Sequence, residues 1–94
     1  MFSLTSVPNV NDCVTVALTG TVSEEVLPEI DRFIKSGRRS SAKVALDLSE
    51  VTLIDRVAAR FFAEQVQRGI EIVDCPSYLE RWILREVTND RNND

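Results

Sequence analysis

Residues 44–61, VALDLSEVTLIDRVAARF, carry the chain from an apolar strand through a polar pair into a second apolar run, and then into an amphipathic helix. We predict a strand over 44–48, a short turn at 49–50 and a helix that begins at Asp55. An aspartate at this point suits the N-cap position, because its carboxylate accepts free backbone N–H groups of the first turn. A strand end that meets a helix N-terminus is also where α/β proteins bind phosphates and partners. Function should therefore be sought at Asp55 and just after it.

The segments before this stretch predict a hairpin. Residues 2–8 form a weak strand candidate, and residues 9–12 are polar turn material. Residues 13–18, CVTVAL, are β-branched and alternating, which indicates a second strand. Residues 19–21 are expected to close the hairpin.

A first helix is predicted after the hairpin. Thr21 or Ser23 can cap it, and two glutamates follow where they meet the positive end of the helix dipole. Apolar residues recur at spacings of three and four and form one stripe: Val26, Leu27, Ile30, Phe33 and Ile34. We expect Gly37 to end the helix and residues 38–41 to form a polar loop.

The segments after the opening stretch predict a helix, a strand and a further helix. The helix over 55–67 should bury Ala58, Phe61, Phe62 and Val66, and residues 68–69 should close it. Residues 70–74, IEIVD, suit a short strand in a buried central position. Pro76 suits the start of the third helix. Its expected apolar stripe is Leu79, Trp82, Ile83 and Val87, and we interpret Tyr78 and Trp82 as mostly core.

The predicted order is ββαβαβα. Strands that alternate with helices indicate an α/β fold with parallel, right-handed crossovers. We expect a single mixed sheet of about four strands with helices mainly on one face. The 94 residues suit one domain, which we assign to residues 1–87, with 88–94 as a polar tail that frays.

Composition excludes several kinds of chemistry. The chain has no histidine, so Ser–His and Cys–His nucleophile pairs and histidine metal sites are impossible. Its three glycines are isolated and form no phosphate loop. Asp47 and Asp55 could in principle do acid–base work, but no nucleophile or oxyanion donor is evident beside them. We expect no enzyme activity, no cofactor and no metal.

Charge and cysteine usage indicate a compartment and a class of partner. The net charge of −4 argues against nucleic acid, and no apolar run is long enough to span a membrane. The N-terminus does not resemble a signal peptide. Cys13 and Cys75 are far apart in sequence, and we interpret them as reduced, buried thiols. These features predict a cytoplasmic protein without membrane insertion.

The chain resembles a STAS domain, the module of sulphate transporter tails and anti-sigma factor antagonists. The resemblance is carried by LDLSEVTLID before the second helix, by GIEIVDCPSYLERWI after it, and by VALTGTV at residues 16–22. It covers most of the chain, from about Val14 to Leu84. It implies a regulatory interaction module and not a catalyst.

One position departs from the pattern of anti-sigma factor antagonists. In that family the second residue after the aspartate is the serine or threonine that an anti-sigma kinase phosphorylates. Here Asp55 is kept, Arg56 replaces a small residue, Val57 occupies the acceptor position and Ala58 stands where glycine is usual. Valine has no hydroxyl, so no phosphorylation is expected at this site.

Our first hypothesis is therefore an anti-sigma factor antagonist-like module without the phosphorylation switch. It would bind an anti-sigma kinase or a related regulator through Asp55, Arg56, Val57 and Ala58, with Thr21 and Ser23 nearby. Plainer interpretations are that Asp55 is only an N-cap and that Arg56 is only solvated. The sequence leaves open whether Val57 is buried or exposed.

Two further hypotheses follow from the same resemblance. Small STAS proteins also serve as cytoplasmic subunits of lipid-trafficking ABC transporters, where the partner is the ATPase subunit. Other STAS domains bind nucleotides or small ligands. The first of these suits a chain without an acceptor hydroxyl, whereas the second has little support here because Arg56 is the only cation beside the helix start.

Overall fold

The computed structural model describes residues 2–8, 12–40 and 43–92. The predicted α/β class and the order of elements are confirmed, with a short 3₁₀ turn at Glu24–Val26 added before the first helix. The predicted turn residues 9–11 lie outside the described residues. The strands and helices are β1 (Phe2–Pro8), β2 (Cys13–Val22), α1 (Leu27–Ser40), β3 (Lys43–Ile54), α2 (Arg56–Gln67), β4 (Glu71–Val73) and α3 (Ser77–Asn92).

The strands form one mixed sheet of order β1-β2-β3-β4. β1 and β2 are antiparallel, whereas β2, β3 and β4 run parallel. Both parallel connections step in the same direction across the sheet, so two right-handed crossovers place α1 and α2 on the same face. The alternate residues of β2 and β3 on that face are all buried: Val14, Val16, Leu18, Val44, Leu46 and Leu48.

β3 is one long strand and not two short runs joined by a turn. The predicted turn at 49–50 is wrong, because β3 passes through it with two register shifts against β2. Between the pairs Ala17↔Asp47 and Thr21↔Leu53, β3 therefore holds two residues more than β2. Such bulges bend and twist a strand without ending it. β2 pairs with this longer β3 as far as Val22. It therefore continues through residues 19–21, where the sequence predicted the hairpin to close.

Gly37 lies inside α1, which continues to Ser40, so the predicted helix end is wrong. A Cβ atom at Gly37 would lie 3.0 Å from the Cγ2 atom of Val44 and 3.6 Å from side-chain atoms of Val14. The glycine is therefore present because the helix backbone approaches the sheet closely. Gly69, by contrast, follows α2 with φ +91° and ends that helix as predicted.

The C-terminal elements differ most from prediction. β4 has three residues and lies at the sheet edge, so the expected central position is wrong. α3 continues to Asn92, well into the segment for which a polar tail was predicted. Tyr78 is 57% exposed and not a core residue, while Trp82 is half-buried against the core. Within the described residues, no helix is both long and apolar enough to cross a membrane.

The core lies between the sheet and the helices. α2 buries Ala58 and Phe62 as predicted, whereas Phe61 and Val66 are only partly buried. The helix also buries three residues that the sequence did not single out: Ala59, Ala63 and Gln65. Small side chains on a helix surface let a neighbouring helix approach closely, and α2 packs against α3.

Because Gly37 faces Val44 so closely, Gly37→Val is expected to lower the free energy of unfolding by about 1–3 kcal/mol. Arg32→Val places the same side chain on the exposed side of α1 and should cost only the helix propensity, about 0.5 kcal/mol. Urea denaturation measures both. Equal losses for the two variants would contradict the proposed close approach.

Candidate functional site

The Asp55 carboxylate joins the starts of two helical segments. Its Oδ1 atom accepts a hydrogen bond from the Ala58 backbone N–H at 2.8 Å, which confirms Asp55 as the N-cap of α2. Its Oδ2 atom accepts a second bond, from the Glu24 backbone N–H at 3.0 Å. Glu24 begins the 3₁₀ turn that leads into α1. One side chain therefore satisfies free donors at both helix starts.

This second bond replaces the cap predicted from Ser23. Ser23 has extended backbone angles at the N-cap of the 3₁₀ turn, but its side chain makes no capping hydrogen bond. The carboxylate of Asp55, 31 residues after Glu24 in the chain, supplies the acceptor instead. An ionised carboxylate accepts stronger hydrogen bonds than a hydroxyl does.

The ends of β2 and β3 bring the predicted site residues together. Thr21 pairs with Leu53 and Val22 pairs with Ile54 in the register of the two strands. The Asp55 backbone N–H then donates to the Val22 carbonyl at 3.3 Å. The structure therefore places Thr21 and Ser23 close to Asp55. We call the surface formed by Thr21, Ser23, Leu53, Asp55, Arg56 and Val57 the Asp55 rim.

The first turn of α2 divides into exposed and buried residues. Arg56 is exposed and makes no ion pair with any described residue. Val57 is 43% exposed, which resolves the alternative that the sequence left open. Ala58 is fully buried, so its side chain is part of the core and not of the rim. Its contribution is the backbone N–H that Asp55 accepts.

Sequence reasoning missed Leu53 and Tyr78. Leu53 is 59% exposed on the rim although it lies in an apolar run. The bulges in β3 disrupt the two-residue alternation, so no periodicity could show which face Leu53 occupies. Tyr78 lies in the first turn of α3, and its hydroxyl donates to the Thr52 carbonyl at 2.9 Å. That contact attaches the start of α3 to the end of β3.

The described residues do not assemble a recognisable catalytic or metal site. They contain no cluster of three or more histidine, cysteine, aspartate or glutamate residues that could hold a metal ion. Asp47 accepts from the Ser49 backbone N–H at 2.9 Å, and Asp55 is occupied by its two helix starts. The two carboxylates lie on the order of 20 Å apart along β3, too far to act on one substrate atom.

The two cysteines are unpaired and half-buried, so they are less buried than predicted. Cys75 lies in a groove of about 460 Å³ between α2, β4 and α3. Burial, and then the negative charge of Glu80, raise the pKa of the Cys75 thiol to about 11. Near neutral pH this thiol is therefore almost entirely protonated and a poor nucleophile.

Comparison with solved structures shows the fold. No protein-family model and no curated protein sequence matches the chain. The unphosphorylated anti-sigma factor antagonist SpoIIAA matches with a TM-score of 0.52 and 11% identity, covering 88% of this chain and 98% of that one. An uncharacterised protein of the DUF3478 family from Shewanella loihica PV-4, described as having a SpoIIAA-like fold, matches with a TM-score of 0.55 and 16% identity. That match covers 94% of this chain and 77% of the other.

These likenesses confirm the predicted architecture. The chain has a SpoIIAA-like fold, which supports the STAS-like domain that the sequence resemblance indicated. At these identities the likeness concerns the fold alone. The partner, the role of the rim and the division into residues 1–87 and 88–94 stay predictions.

Removing the bridging carboxylate should destabilise the protein more than removing an ordinary cap. Asp55→Ala leaves the N–H groups of Ala58 and Glu24 without their acceptor, and we expect a loss of about 2–4 kcal/mol in the free energy of unfolding. Asp55→Asn keeps one carbonyl acceptor and should lose about half as much. Asp47→Ala, which removes one local bond, serves as the control in urea denaturation. A loss from Asp55→Ala no larger than that of the control would contradict the bridging role.

The raised pKa of Cys75 predicts slow alkylation. In a Cys13→Ser background, Cys75 should react with iodoacetamide at pH 8 about 100-fold more slowly than free cysteine, because the thiolate is the nucleophile. The rate should climb with pH until about pH 11. Glu80→Gln removes the nearby negative charge and should shift this profile to lower pH. Reaction as fast as that of free cysteine at pH 8 would contradict the burial effect.

Proposed function

We propose that this chain is a non-catalytic, cytoplasmic protein-interaction module resembling anti-sigma factor antagonists, which binds an anti-sigma kinase or a related regulator without a phosphorylation switch. The observation that carries this proposal is Val57. The sequence resemblance assigns Val57 to the acceptor position, and its side chain is 43% exposed two residues after Asp55.

The composition of the Asp55 rim suits a protein partner. Leu53 and Val57 lie two residues before and two residues after Asp55, and both expose apolar surface. Covering such surface gains about 25 cal/mol for each Å² removed from water. Arg56 lies between them in sequence, is exposed and forms no salt bridge with a described residue. Arginine is enriched among residues that dominate protein interfaces.

The positive charge of Arg56 indicates which chemical group the partner should place opposite it. A cation in the first turn of a helix opposes the helix dipole by roughly 0.3–1 kcal/mol when it is exposed. Asp55 does not offset this cost, because its oxygens accept backbone N–H groups and it forms no salt bridge with Arg56. A carboxylate on the partner would offset the cost and would make the contact specific.

Loss of the acceptor hydroxyl changes how binding is controlled. A phosphate at this position would add about −1.5 to −2 charges in the first turn of α2. Val57 cannot receive it, and Arg56 has the wrong sign to imitate it. Binding through this rim would therefore follow the concentration of the two proteins and not a kinase.

Affinity purification from the native host, followed by mass spectrometry, tests the class of partner. The expected result is an anti-sigma kinase or a related regulator. Recovery of an ABC transporter ATPase would favour the structural-subunit hypothesis instead. Calorimetric titration with ATP and GTP should show no heat, and clear binding of either would favour the nucleotide-binding alternative.

Once that partner is purified, variants of the rim test the surface. Arg56→Glu and Val57→Asp should each weaken the complex about tenfold, because each places a negative charge where we expect a carboxylate on the partner. Val57→Ile keeps an uncharged aliphatic side chain at this exposed position and serves as the control, with affinity expected within about twofold of the wild type. Wild-type affinity in both charged variants would show that the complex forms elsewhere on the molecule.

A further inference from the structure

A second surface lies along the outer side of α3. Tyr78, Arg81, Trp82 and Arg85 are spaced three and four residues apart and, with Ser77, line an open groove of about 540 Å³. Residues at these spacings share one face of a helix. We call this surface the α3 stripe.

The two aromatic residues of the α3 stripe are held in place. Tyr78 is 57% exposed, yet its hydroxyl donates to the Thr52 carbonyl and fixes the ring. Trp82 packs its inner side against the core and is half-buried. Side chains that are already ordered lose little conformational entropy on binding, which makes them effective anchors.

The two arginines of the α3 stripe form no salt bridge with any described side chain. Arg81 and Arg85 are exposed, and neither makes a salt bridge within the part of the chain that the structure describes. Arg60, by comparison, lies 3.8 Å from the Glu86 carboxylate. Like charges four residues apart on a helix destabilise it by a few tenths of a kcal/mol. Repulsion between Arg81 and Arg85 therefore destabilises α3 slightly, and an anionic partner would remove this effect.

The carboxylates of α3 whose side chains are described lie elsewhere. Glu80 lines the groove beside Cys75, and Glu86 is buried near Arg60. The chain as a whole has a net charge of −4, so the positive α3 stripe contrasts with the balance of the protein. The positive charge of the α3 stripe therefore favours acidic partners through charge complementarity.

We propose that the α3 stripe binds an acidic segment of another protein. An apolar side chain of that segment would lie against Tyr78 and Trp82, while its aspartates or glutamates would pair with Arg81 and Arg85. Arginine forms paired hydrogen bonds with carboxylates, and tyrosine, tryptophan and arginine are the residues most enriched among interface anchors. This inference does not depend on the Asp55 rim and would stand if the proposed function failed.

A protein segment fits better than a nucleic acid or a membrane. Two arginines could neutralise few phosphates, and a net charge of −4 would oppose a polyanion. Stable attraction to an anionic membrane takes clusters of about 4–8 basic residues, more than the α3 stripe supplies.

Selection from a random-peptide display library tests the proposal without knowledge of the natural partner. With the full-length protein as bait, the selected peptides should combine aspartate or glutamate residues with a leucine or an aromatic residue. Calorimetry on one such peptide should show binding that weakens as salt is raised. Arg81→Glu with Arg85→Glu should weaken it at least about tenfold.

The matched control reverses the same number of charges on another helix. Arg32→Glu with Arg39→Glu changes two exposed arginines of α1 and should leave the affinity within about twofold. If the glutamate pair on α3 fails to fold by circular dichroism, Arg81→Gln with Arg85→Gln replaces it. Peptides that are neutral or basic, or equal losses in the two double variants, would overturn the proposal. Binding to phosphatidylserine vesicles with no selected acidic peptide would overturn it in favour of a membrane.

Discussion

The structure depends on one carboxylate that serves two helix starts. Asp55 caps α2 through Ala58 and accepts from Glu24 at the turn that leads into α1. Backbone donors at helix starts have no partner within the helix, and leaving them without an acceptor is costly when water is excluded. Because β2 and β3 are parallel, their ends meet at the same edge of the sheet. One side chain there can therefore organise both crossovers.

This constraint gives Asp55 a structural role that does not depend on a hydroxyl at position 57. Its two oxygens accept from both helix starts and its backbone N–H donates to Val22 of β2, whichever residue occupies position 57. Val57 and Arg56 are then displayed from a rigid platform. Such preorganisation lowers the entropic cost of binding, which suits a surface that we propose is always competent to bind.

The two proposed surfaces share that platform but differ in chemistry. The Asp55 rim combines exposed aliphatic side chains with a single arginine, whereas the α3 stripe combines ordered aromatic rings with two arginines. The hydrogen bond from Tyr78 to Thr52 links the start of α3 to the end of β3. A partner large enough to cover the rim could therefore extend onto α3, or each surface could serve a different protein.

The sequence by itself determined whatever depends on neighbouring residues: the order of strands and helices, the N-cap at Asp55 and the end of α2 at Gly69. Only the tertiary structure decided the role of Gly37, the bulges of β3, the edge position of β4, the exposure of Leu53, Val57 and Tyr78, and the bond from Glu24 to Asp55. Periodicity and capping rules act over a few residues, whereas these features arise between segments far apart in the chain. The bond from Glu24 to Asp55 spans 31 residues, and only folding brings that donor and acceptor together.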